Sequence, residues 1–514
     1  MKKTFMVATA LTAAALITYF LIGKNNGDKK MTLNVAFPYA KPVTIYEPTR
    51  IYYAPEYIFL ENVFSPLIEL HPKTGEPVPS VAEKFEWVGD ELHFHIRDDL
   101  KTVDGKAITA EDAAFSLKRL LVKSGNTHGN FHDLMCINST LKTVEDDCPG
   151  IRTKDNILIL APGKKKTFLL PMVATLDFAI IPKSSVDPKT LDIVDYRNTS
   201  GPYYVESDDG KGNITLKANA AHFHHKATMP QTLNLVPAGI DGHKSSLELF
   251  EEGKVDYITT IDKLPAQDVI KFSQDNAGNL HTTMNIRTYV LTFTDKGLKK
   301  FSKEERLKIG MAFKAGFREY HKSSPGFTPT DQFFVPFGDG GLDDAREDKL
   351  IKEISEYETK DIIDTKLKIS SIRIGKIDGL NEVLQKKFSK LNFYEGKMVP
   401  SFMKNPKDDE IPDAFVSGPD TGFLEDIGLI SYSINAGFFG ADKEKVRAWL
   451  KEYMETPDKE KRVSELKDLH ERVLKEGILI PMVSSPYAAF TRKGWKIGIS
   501  QIYANNPLWP IEKE

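Results

Sequence analysis

The residues best suited to metal chemistry stand together in one short segment, His222-Phe-His224-His225. Adjacent imidazoles can bind a transition metal ion. No cysteine lies nearby, and the three histidines lack the i, i+4 spacing of a helical metal site. Lys226 and Pro230 follow, which is typical of a surface turn between two strands. We therefore predict no metal site and no cofactor.

The motifs that mark common enzyme active sites are missing from the sequence. It contains no G-x-S-x-G nucleophile elbow, no phosphate-binding P-loop, no H-E-x-x-H zinc motif and no C-x-x-C redox motif. Carboxylate pairs cannot be selected from a chain with 72 acidic residues. We therefore predict that the protein is not an enzyme. An exported hydrolase stays an open alternative that no motif supports.

Three tyrosines, Tyr52, Tyr53 and Tyr57, lie close together before a helical pattern. Tyrosines in a concave site hold a ligand with little loss of entropy and offer a hydroxyl for hydrogen bonding. The alternative is that they fill a core or an inter-lobe contact, since aromatic side chains are usually buried. The residues alone leave both interpretations open.

The N-terminus has the features of an export signal. Lys2 and Lys3 precede an uncharged stretch over residues 5–23, a pattern typical of signal sequences. As a helix the stretch would be about 28 Å long, close to the hydrocarbon thickness of a membrane. No cysteine follows it for acylation and no clear A-x-A site follows it for cleavage, so an uncleaved anchor is slightly favoured over a cleaved signal peptide. The positive-inside rule places residues 31–514 outside the cytoplasmic membrane.

The two cysteines, Cys136 and Cys148, share one polar stretch. Because export leads to an oxidising compartment, we predict a disulfide between them. Closing this short loop would contribute on the order of 3 kcal/mol. The alternative is two unrelated thiols.

The totals describe an ordinary globular protein with several lobes. The chain has 514 residues, of which 41% are hydrophobic and 27% charged. That length suffices for two or three lobes of roughly 100–200 residues each. A net charge of −3 provides no electrostatic basis for binding nucleic acid, and we expect no such partner.

Helix and strand patterns alternate along the chain, which favours an α/β fold over a barrel or a helical array. The clearest helix begins after Thr109, a good N-cap, with Glu111 and Asp112 in its first turn. Further predicted helices cover 57–70, 247–252, 304–320, 443–454 and 459–475, the last followed by Gly477 as a C-cap. Predicted strands cover 32–37, 84–88, 91–97, 157–160, 168–170, 214–218, 232–236, 255–260, 289–294 and 478–483.

Six blocks then occur in a recognisable order: PSVAEKFEW (79–87), LHFHIRDDLKTVDGKAITAEDAAFSLKRL (92–120), NTSGPYYV (198–205), YVLTFT (289–294), RLKIGMAFKAGF (306–317) and RVLKEGILIPM (472–482). Together they resemble the family 5 extracellular solute-binding proteins, which include periplasmic oligopeptide- and dipeptide-binding proteins. The block over 92–120 is specific, and the others are individually weaker but collinear. The resemblance covers nearly everything after residue 31.

The resemblance implies an α/β, two-lobe periplasmic-binding-protein (Venus-flytrap) fold with an extra subdomain in the first lobe. Lobe I would comprise 31–68, 178–283 and 484–514, the extra subdomain 69–177, and lobe II 284–483. Hinge strands would lie near 284–292 and 478–484. Ligand binding between the lobes would favour the closed form, because only that form contacts the ligand from both sides.

The resemblance also assigns site residues by position. Tyr52 and Tyr53 would line the site from lobe I, and His128 would face it from the subdomain. Arg287 and Tyr289 fall on the first hinge strand. Gly418 and Asp420 fall in the ligand-anchoring loop, where Asp420 would hold a ligand ammonium group while Arg287 would hold a carboxylate.

That anchoring loop departs from the pattern of the family's peptide binders. Their W-x-A-D-Y-x-D-P segment is replaced here by DAFVSGPDTGFLED (413–426), without the tryptophan and the tyrosine. The ligand class therefore stays open between a peptide, which is favoured, and a nickel complex, haem, an opine or a sugar.

The function that the resemblance implies is capture of a small solute for an ABC importer. The expected partners are a small-molecule or peptide ligand and the permease subunits, and the protein is expected to be a periplasmic monomer, with residues 5–23 as a membrane anchor if they are not cleaved. A membrane-tethered ligand sensor or partner-binding protein with the same fold is the alternative, since fold does not determine function.

Overall fold

A computed structural model describes residues 31–38, 41–51, 54–126, 131–137, 139–166, 168–239, 243–259, 271–272, 274–324, 326–371, 378–396, 407–420, 448–453, 456, 458–497 and 507–514. The export segment over residues 5–23 and the predicted site residues Tyr52, Tyr53 and His128 lie outside these ranges. Among the residues that are described, no helix combines the length and the apolar character needed to cross a membrane.

The described strands are numbered in chain order. They are β1 (Thr32–Phe37), β2 (Ile68–Leu70), β3 (Pro77–Pro79), β4 (Ala82–Val88), β5 (Glu91–Ile96), β6 (Ile151–Lys154), β7 (Ile157–Leu160), β8 (Tyr203–Asp208), β9 (Ile214–Ala218), β10 (Thr232–Pro237), β11 (Tyr257–Thr259), β12 (Leu280–Phe293), β13 (Thr328–Pro329), β14 (Leu367–Ser371), β15 (Leu391–Glu395), β16 (Ala414–Ser417), β17 (Leu479–Thr491), β18 (Trp495–Lys496) and β19 (Glu512–Lys513).

The helices are numbered in the same way. They are α1 (Ala54–Val63), α2 (Ala110–Lys123), α3 (Phe131–Met135), α4 (Leu169–Val173), α5 (Ser246–Glu251), α6 (Asp295–Lys300), α7 (Lys303–Tyr320), α8 (Asp344–Ser355), α9 (Asp378–Gln385) and α10 (Lys459–Lys475). Residues 448–453 are also helical, whereas the first part of the helix predicted over 443–454 lies outside the described residues.

Local capping explains why the best-predicted helices begin and end where they do. The carboxylate of Asp112 accepts a hydrogen bond of 3.0 Å from the backbone N–H of Thr109, which stabilises the start of α2. Asp458 accepts one of 2.8 Å from the N–H of Lys461 at the start of α10. Gly477, two residues after α10, has a φ of 63°, a left-handed conformation that glycine adopts without strain.

Two sequence predictions were wrong about local structure. The helix predicted over 57–70 ends at Val63, and Ile68–Leu70 form β2 instead. Pro66 lies between them, and proline disfavours helical conformation in the residue before it. The strand predicted over 168–170 is the start of the short helix α4. Short apolar runs do not distinguish a strand from a buried helix.

One large mixed sheet runs through both lobes. Within the described residues its strand order is β15-β14-β16-β12-β17-β11-β1-β10-β9-β8, with β13 paired to β17. The lobe I half has parallel pairing of β1 with β10, which sets Leu33 beside Leu233 and Val35 beside Leu235 in the core. Each such buried aliphatic side chain contributes roughly 1.5–3 kcal/mol to stability.

The long strands β12 and β17 connect the two halves of this sheet. They pair antiparallel from Leu280 opposite Phe490 to Thr292 opposite Leu479. One end of β17 pairs with β11 in lobe I, and the other end of β12 pairs with β16 in lobe II. Register shifts occur on either side of Asn285, where bulges bend and twist the ladder. The predicted domain boundaries at 284 and 484 fall within these strands and stay a prediction.

The extra subdomain is built around a separate four-stranded sheet, ordered β4-β5-β7-β6, with α2 packed against it. Cys136 and Cys148 form a disulfide just before this sheet's last hairpin. Both cysteines are buried in the subdomain core.

A buried ion pair ties α2 to lobe I. The Arg119 guanidinium donates to both carboxylate oxygens of Glu47, at 3.0 and 2.5 Å, and also to the carbonyl oxygen of Leu191. The Arg119 side chain is fully buried. Charges held in such a position need a partner, because an isolated one is costly to desolvate.

Candidate ligand-binding site

Arg287 and Asp420 meet where β12 crosses between the lobes. The guanidinium donates from Nε to Asp420 Oδ1 at 2.7 Å and from Nη2 to Oδ2 at 2.9 Å. Their backbones also form an isolated antiparallel bridge. Burial alone would lower the pKa of Arg287, but the charge of Asp420 together with Tyr289 raises it above its ordinary value. The two charges therefore neutralise each other in this structure.

Gly418 is packed directly against two other predicted site residues. A Cβ built at Gly418 would lie 2.9 Å from Cε1 of Tyr289 and 3.1 Å from Cδ of Arg287. Contacts that short do not occur without displacement of a neighbour. Glycine at this position therefore lets the loop after β16 approach the hinge strand.

Tyr289 belongs to a stack of rings that leads away from the ion pair into lobe II. Its ring centroid lies 5.5 Å from that of Phe327 and 5.7 Å from that of Phe317. Phe327 stacks on His321 at 4.4 Å with an interplanar angle of 3°. Burial lowers the pKa of His321 to about 4, so this imidazole is neutral at physiological pH. The stack holds Tyr289 in one orientation beside Arg287.

Two tyrosines of lobe I lie within electrostatic reach of the ion pair. Burial raises the pKa of Tyr57 well above its ordinary value, and the charges of Asp177, Glu61 and Asp420 raise it further. Burial also raises the pKa of Tyr487 on β17. A hydrogen bond to Thr259 and the charge of Arg287 lower this pKa, whereas the charge of Asp420 raises it. Both tyrosines therefore interact electrostatically with the pair.

Glu61 is a further residue of this region that the sequence analysis missed. Its Oε2 atom is buried and has no hydrogen-bond partner. Burial, with Glu69 as a nearby like charge, raises the pKa of Glu61 well above its ordinary value. The available signal was a single charged residue within the apolar run Ile58-Phe-Leu-Glu-Asn-Val-Phe64.

The structure thus brings together the four predicted site residues that it describes. Arg287, Tyr289, Gly418 and Asp420 form one contiguous group. The prediction placed Arg287 and Asp420 at opposite ends of a ligand, whereas here they bind each other. Whether they contact a ligand stays a prediction, as it does for Tyr52, Tyr53 and His128.

The histidine segment lies in the turn between β9 and β10, as predicted, but its first histidine is buried rather than at the surface. His222 is buried, with Nε2 lying 3.1 Å from the carbonyl oxygen of Ser200, and burial lowers its pKa well below the ordinary value. His224 stacks on Trp509 at 3.6 Å and pairs with Glu69 at 2.9 Å. In the described ranges, no group of three or more His, Cys, Asp or Glu side chains is arranged to hold a metal ion.

The architecture of two lobes joined by long crossing strands defines a two-lobe periplasmic-binding-protein fold. NikA of Brucella suis, solved in complex with Fe(III)-EDTA, has a similar structure, with a TM-score of 0.73. The two chains are 17% identical, and the superposition covers 94% of this chain and 100% of NikA. A periplasmic oligopeptide-binding protein of an oligopeptide ABC transporter (OppAIV) of Borrelia burgdorferi gives a TM-score of 0.72 at 16% identity, with the same coverage of both chains.

Sequence comparison adds the family. Residues 76–312 match the family described as bacterial extracellular solute-binding proteins, family 5 middle, which is the family that the sequence blocks resemble. The periplasmic murein peptide-binding protein MppA of Escherichia coli strain K12 is 23% identical over 264 residues, which are 49% of this chain and 47% of MppA. The match therefore spans about half the length of this curated relative.

Proposed function

We propose that this protein is the substrate-binding component of an ABC importer and that it captures a peptide between its two lobes. The observation that carries the proposal is the Arg287–Asp420 pair, with Gly418 and Tyr289 packed against it, at the strands that join the lobes. Charged and aromatic side chains meet there. The family match over 76–312 and the peptide-binding roles for which MppA and the Borrelia protein are named support the same function.

The mechanism follows from the arrangement of the strands. A ligand that contacts both lobes binds the closed form more tightly than the open form and therefore shifts the equilibrium toward closure. Bending would concentrate near Asn285, where the β12–β17 register is irregular. A closed, liganded form then differs in shape from the empty form, which gives a permease a basis for distinguishing them.

Mass spectrometry of ligands that co-purify with the natively expressed protein is the direct test. Peptides released on denaturation would support the proposal, and small-angle scattering should show a smaller radius of gyration after a released peptide is added back. Release of a metal chelate would show that the ligand is not a peptide. NikA, which was solved with such a chelate bound, provides a precedent for that result. An unchanged scattering profile at saturating ligand would contradict closure.

A membrane-tethered sensor is the second candidate, favoured by the apolar stretch over residues 5–23 and the absence of a cysteine after it. In either case we place residues 31–514 outside the cytoplasmic membrane and expect a monomer. Uptake of the identified ligand by cells, lost when the protein is deleted and restored by its gene, distinguishes import from sensing. Fractionation of cells shows whether the chain is tethered.

A further inference from the structure

Glu61 is placed where a carboxylate is costly. It lies on α1, where the neighbouring Phe59, Leu60 and Val63 are fully buried. Its Oε2 atom is buried and accepts no hydrogen bond. In the part of the chain that the structure describes, no Lys, Arg or His side chain forms an ion pair with it. A buried carboxylate without a partner is destabilising, so its presence requires an explanation.

Glu61 interacts electrostatically with tyrosines at the strands that join the lobes. Tyr57 is one helical turn earlier, so the two side chains share a face of the helix. The pKa of Tyr57 is raised in part by Asp420, which belongs to lobe II. The charge of Glu61 also raises the pKa values of Tyr257 on β11 and Tyr487 on β17. The carboxyl group of Glu61 is therefore coupled electrostatically both to α1 and to the strands that join the lobes.

Among the described residues, the titratable groups that act on Glu61 or are acted on by it provide no positive charge. They are Glu69, from the β2–β3 hairpin, and the hydroxyls of Tyr57, Tyr257 and Tyr487. Arg287, the cation on the neighbouring hinge strand, donates two hydrogen bonds to Asp420. Asp420 is already engaged with Arg287, whereas the Glu61 carboxyl group has no partner of opposite charge among the described residues. The Glu61 residue as a whole has intermediate exposure, although its Oε2 atom is buried.

We infer that Glu61 binds a primary ammonium group of the ligand, so that the positive end of a peptide is held from lobe I rather than by Asp420. This inference rests on the proposed function. An ammonium group would donate a charge-assisted hydrogen bond to the Glu61 carboxylate and balance its charge. The ammonium group could belong to the peptide N-terminus or to a lysine side chain.

The protonation of Glu61 should make ligand affinity depend on pH. The raised pKa means that the ligand-free protein holds a proton on Glu61 more tightly than an exposed glutamate does. Because an ammonium group binds the carboxylate form, affinity should rise as the pH rises through that pKa. In the absence of ligand, the folded state loses stability over the same rise in pH, starting from the ordinary value of 4.5.

The test uses the full chain and three synthetic tripeptide mixtures. One has free N-termini and no lysine or arginine, the second is the same mixture with acetylated N-termini, and the third is acetylated but contains lysine. Calorimetry measures their binding to the wild type, to Glu61→Gln and to Glu83→Gln, which changes an exposed glutamate of β4 as a control. Melting temperatures of all three proteins are measured without ligand.

If Glu61 is the anchor, Glu61→Gln should weaken binding of an amine-bearing mixture roughly tenfold or more, the factor expected for one charged hydrogen bond. Wild-type affinity should increase with pH and that of Glu61→Gln should not. The free-terminus mixture or the lysine mixture then identifies the source of the ammonium group. Glu61→Gln should also melt at a higher temperature at neutral pH, which excludes misfolding as the cause of weaker binding, and Glu83→Gln should match the wild type.

Two results would overturn the inference in distinguishable ways. Equal affinity of the wild type and Glu61→Gln, or equal binding of the acetylated lysine-free mixture, would remove the anchor and leave the peptide-binding function intact. Failure of the wild type to bind any of the three mixtures would overturn the peptide-binding function and the anchor with it.

Discussion

The guanidinium of Arg287 and the carboxylate of Asp420 form two parallel hydrogen bonds of 2.7 and 2.9 Å, although 133 residues separate them in the chain. About a quarter of each side chain is exposed, 25% for Arg287 and 27% for Asp420. Two-point geometry of this kind is specific to arginine and carboxylate and is not reproduced by lysine. The pair fastens the loop after β16 to the strand that joins the lobes.

Asp420→Ala should destabilise the protein by about 1–3 kcal/mol, because Arg287 is left partly buried without its partner. The double variant Arg287→Met, Asp420→Ala should recover much of that loss. Chemical denaturation of the four proteins measures the coupling between the two residues. If ligand affinity falls in Asp420→Ala and returns in the double variant, the pair supports the site indirectly. Additive effects on stability would contradict the pairing.

Arg119→Met should destabilise the protein by about 3 kcal/mol, the lower end of the cost of breaking a buried ion pair, because Lys123 stays 3.9 Å from Glu47. Replacing Glu47 with methionine as well should reduce the loss, since the buried carboxylate is then gone. Arg197→Met is the matched control, because the Arg197–Glu206 pair is about half exposed, and it should have little effect. Thermal and urea unfolding measure the stability of each variant. A loss no larger than that of the control would argue against the buried pair.

Stability should fall as the pH is lowered from about 6.5 to about 4, partly because of His470. Burial lowers the pKa of this imidazole to about 4, and Nε2 accepts a hydrogen bond from the N–H of Phe333. The unfolded chain binds a proton below pH 6.5 while the folded chain does not, which costs about 3 kcal/mol across the window. The His470→Gln variant lacks this titration. As the pH falls, the variant should therefore lose less stability than the wild type. Parallel pH profiles would exclude His470 as the cause.

The Cys136–Cys148 disulfide should resist labelling. Thiol-reactive probes under denaturing, non-reducing conditions should modify neither cysteine, whereas two labelled thiols would contradict the bond. Its reduction should lower stability by about 3 kcal/mol, since the cross-link restricts the unfolded chain. The double variant Cys136→Ala, Cys148→Ala is the control, because it has no disulfide to reduce. Its melting temperature should not change when reductant is added.

Local sequence sufficed for the elements whose ends are set by neighbouring residues. The helix over 459–475 and the strands over 32–37, 157–160 and 214–218 have the bounds that the sequence predicted. Caps such as Thr109 and Gly477 act within a few residues, so they are visible in the sequence. The six collinear blocks were similarly sufficient to indicate the two-lobe fold, and they resemble the family whose description matches residues 76–312.

Tertiary structure decided what depends on residues far apart in the chain. The residue pattern predicted only the apolar ends of β12 and β17, and the resemblance extended the first strand back to 284. The polar stretch His281-Thr-Thr-Met-Asn-Ile-Arg287 owes its extended form to pairing with β17. It placed Arg287 and Asp420 in the same region but not in contact, because charge pairing depends on side-chain geometry across two strands. It could not single out Glu61 either, since a carboxylate lacks a partner only when every surrounding element is in place.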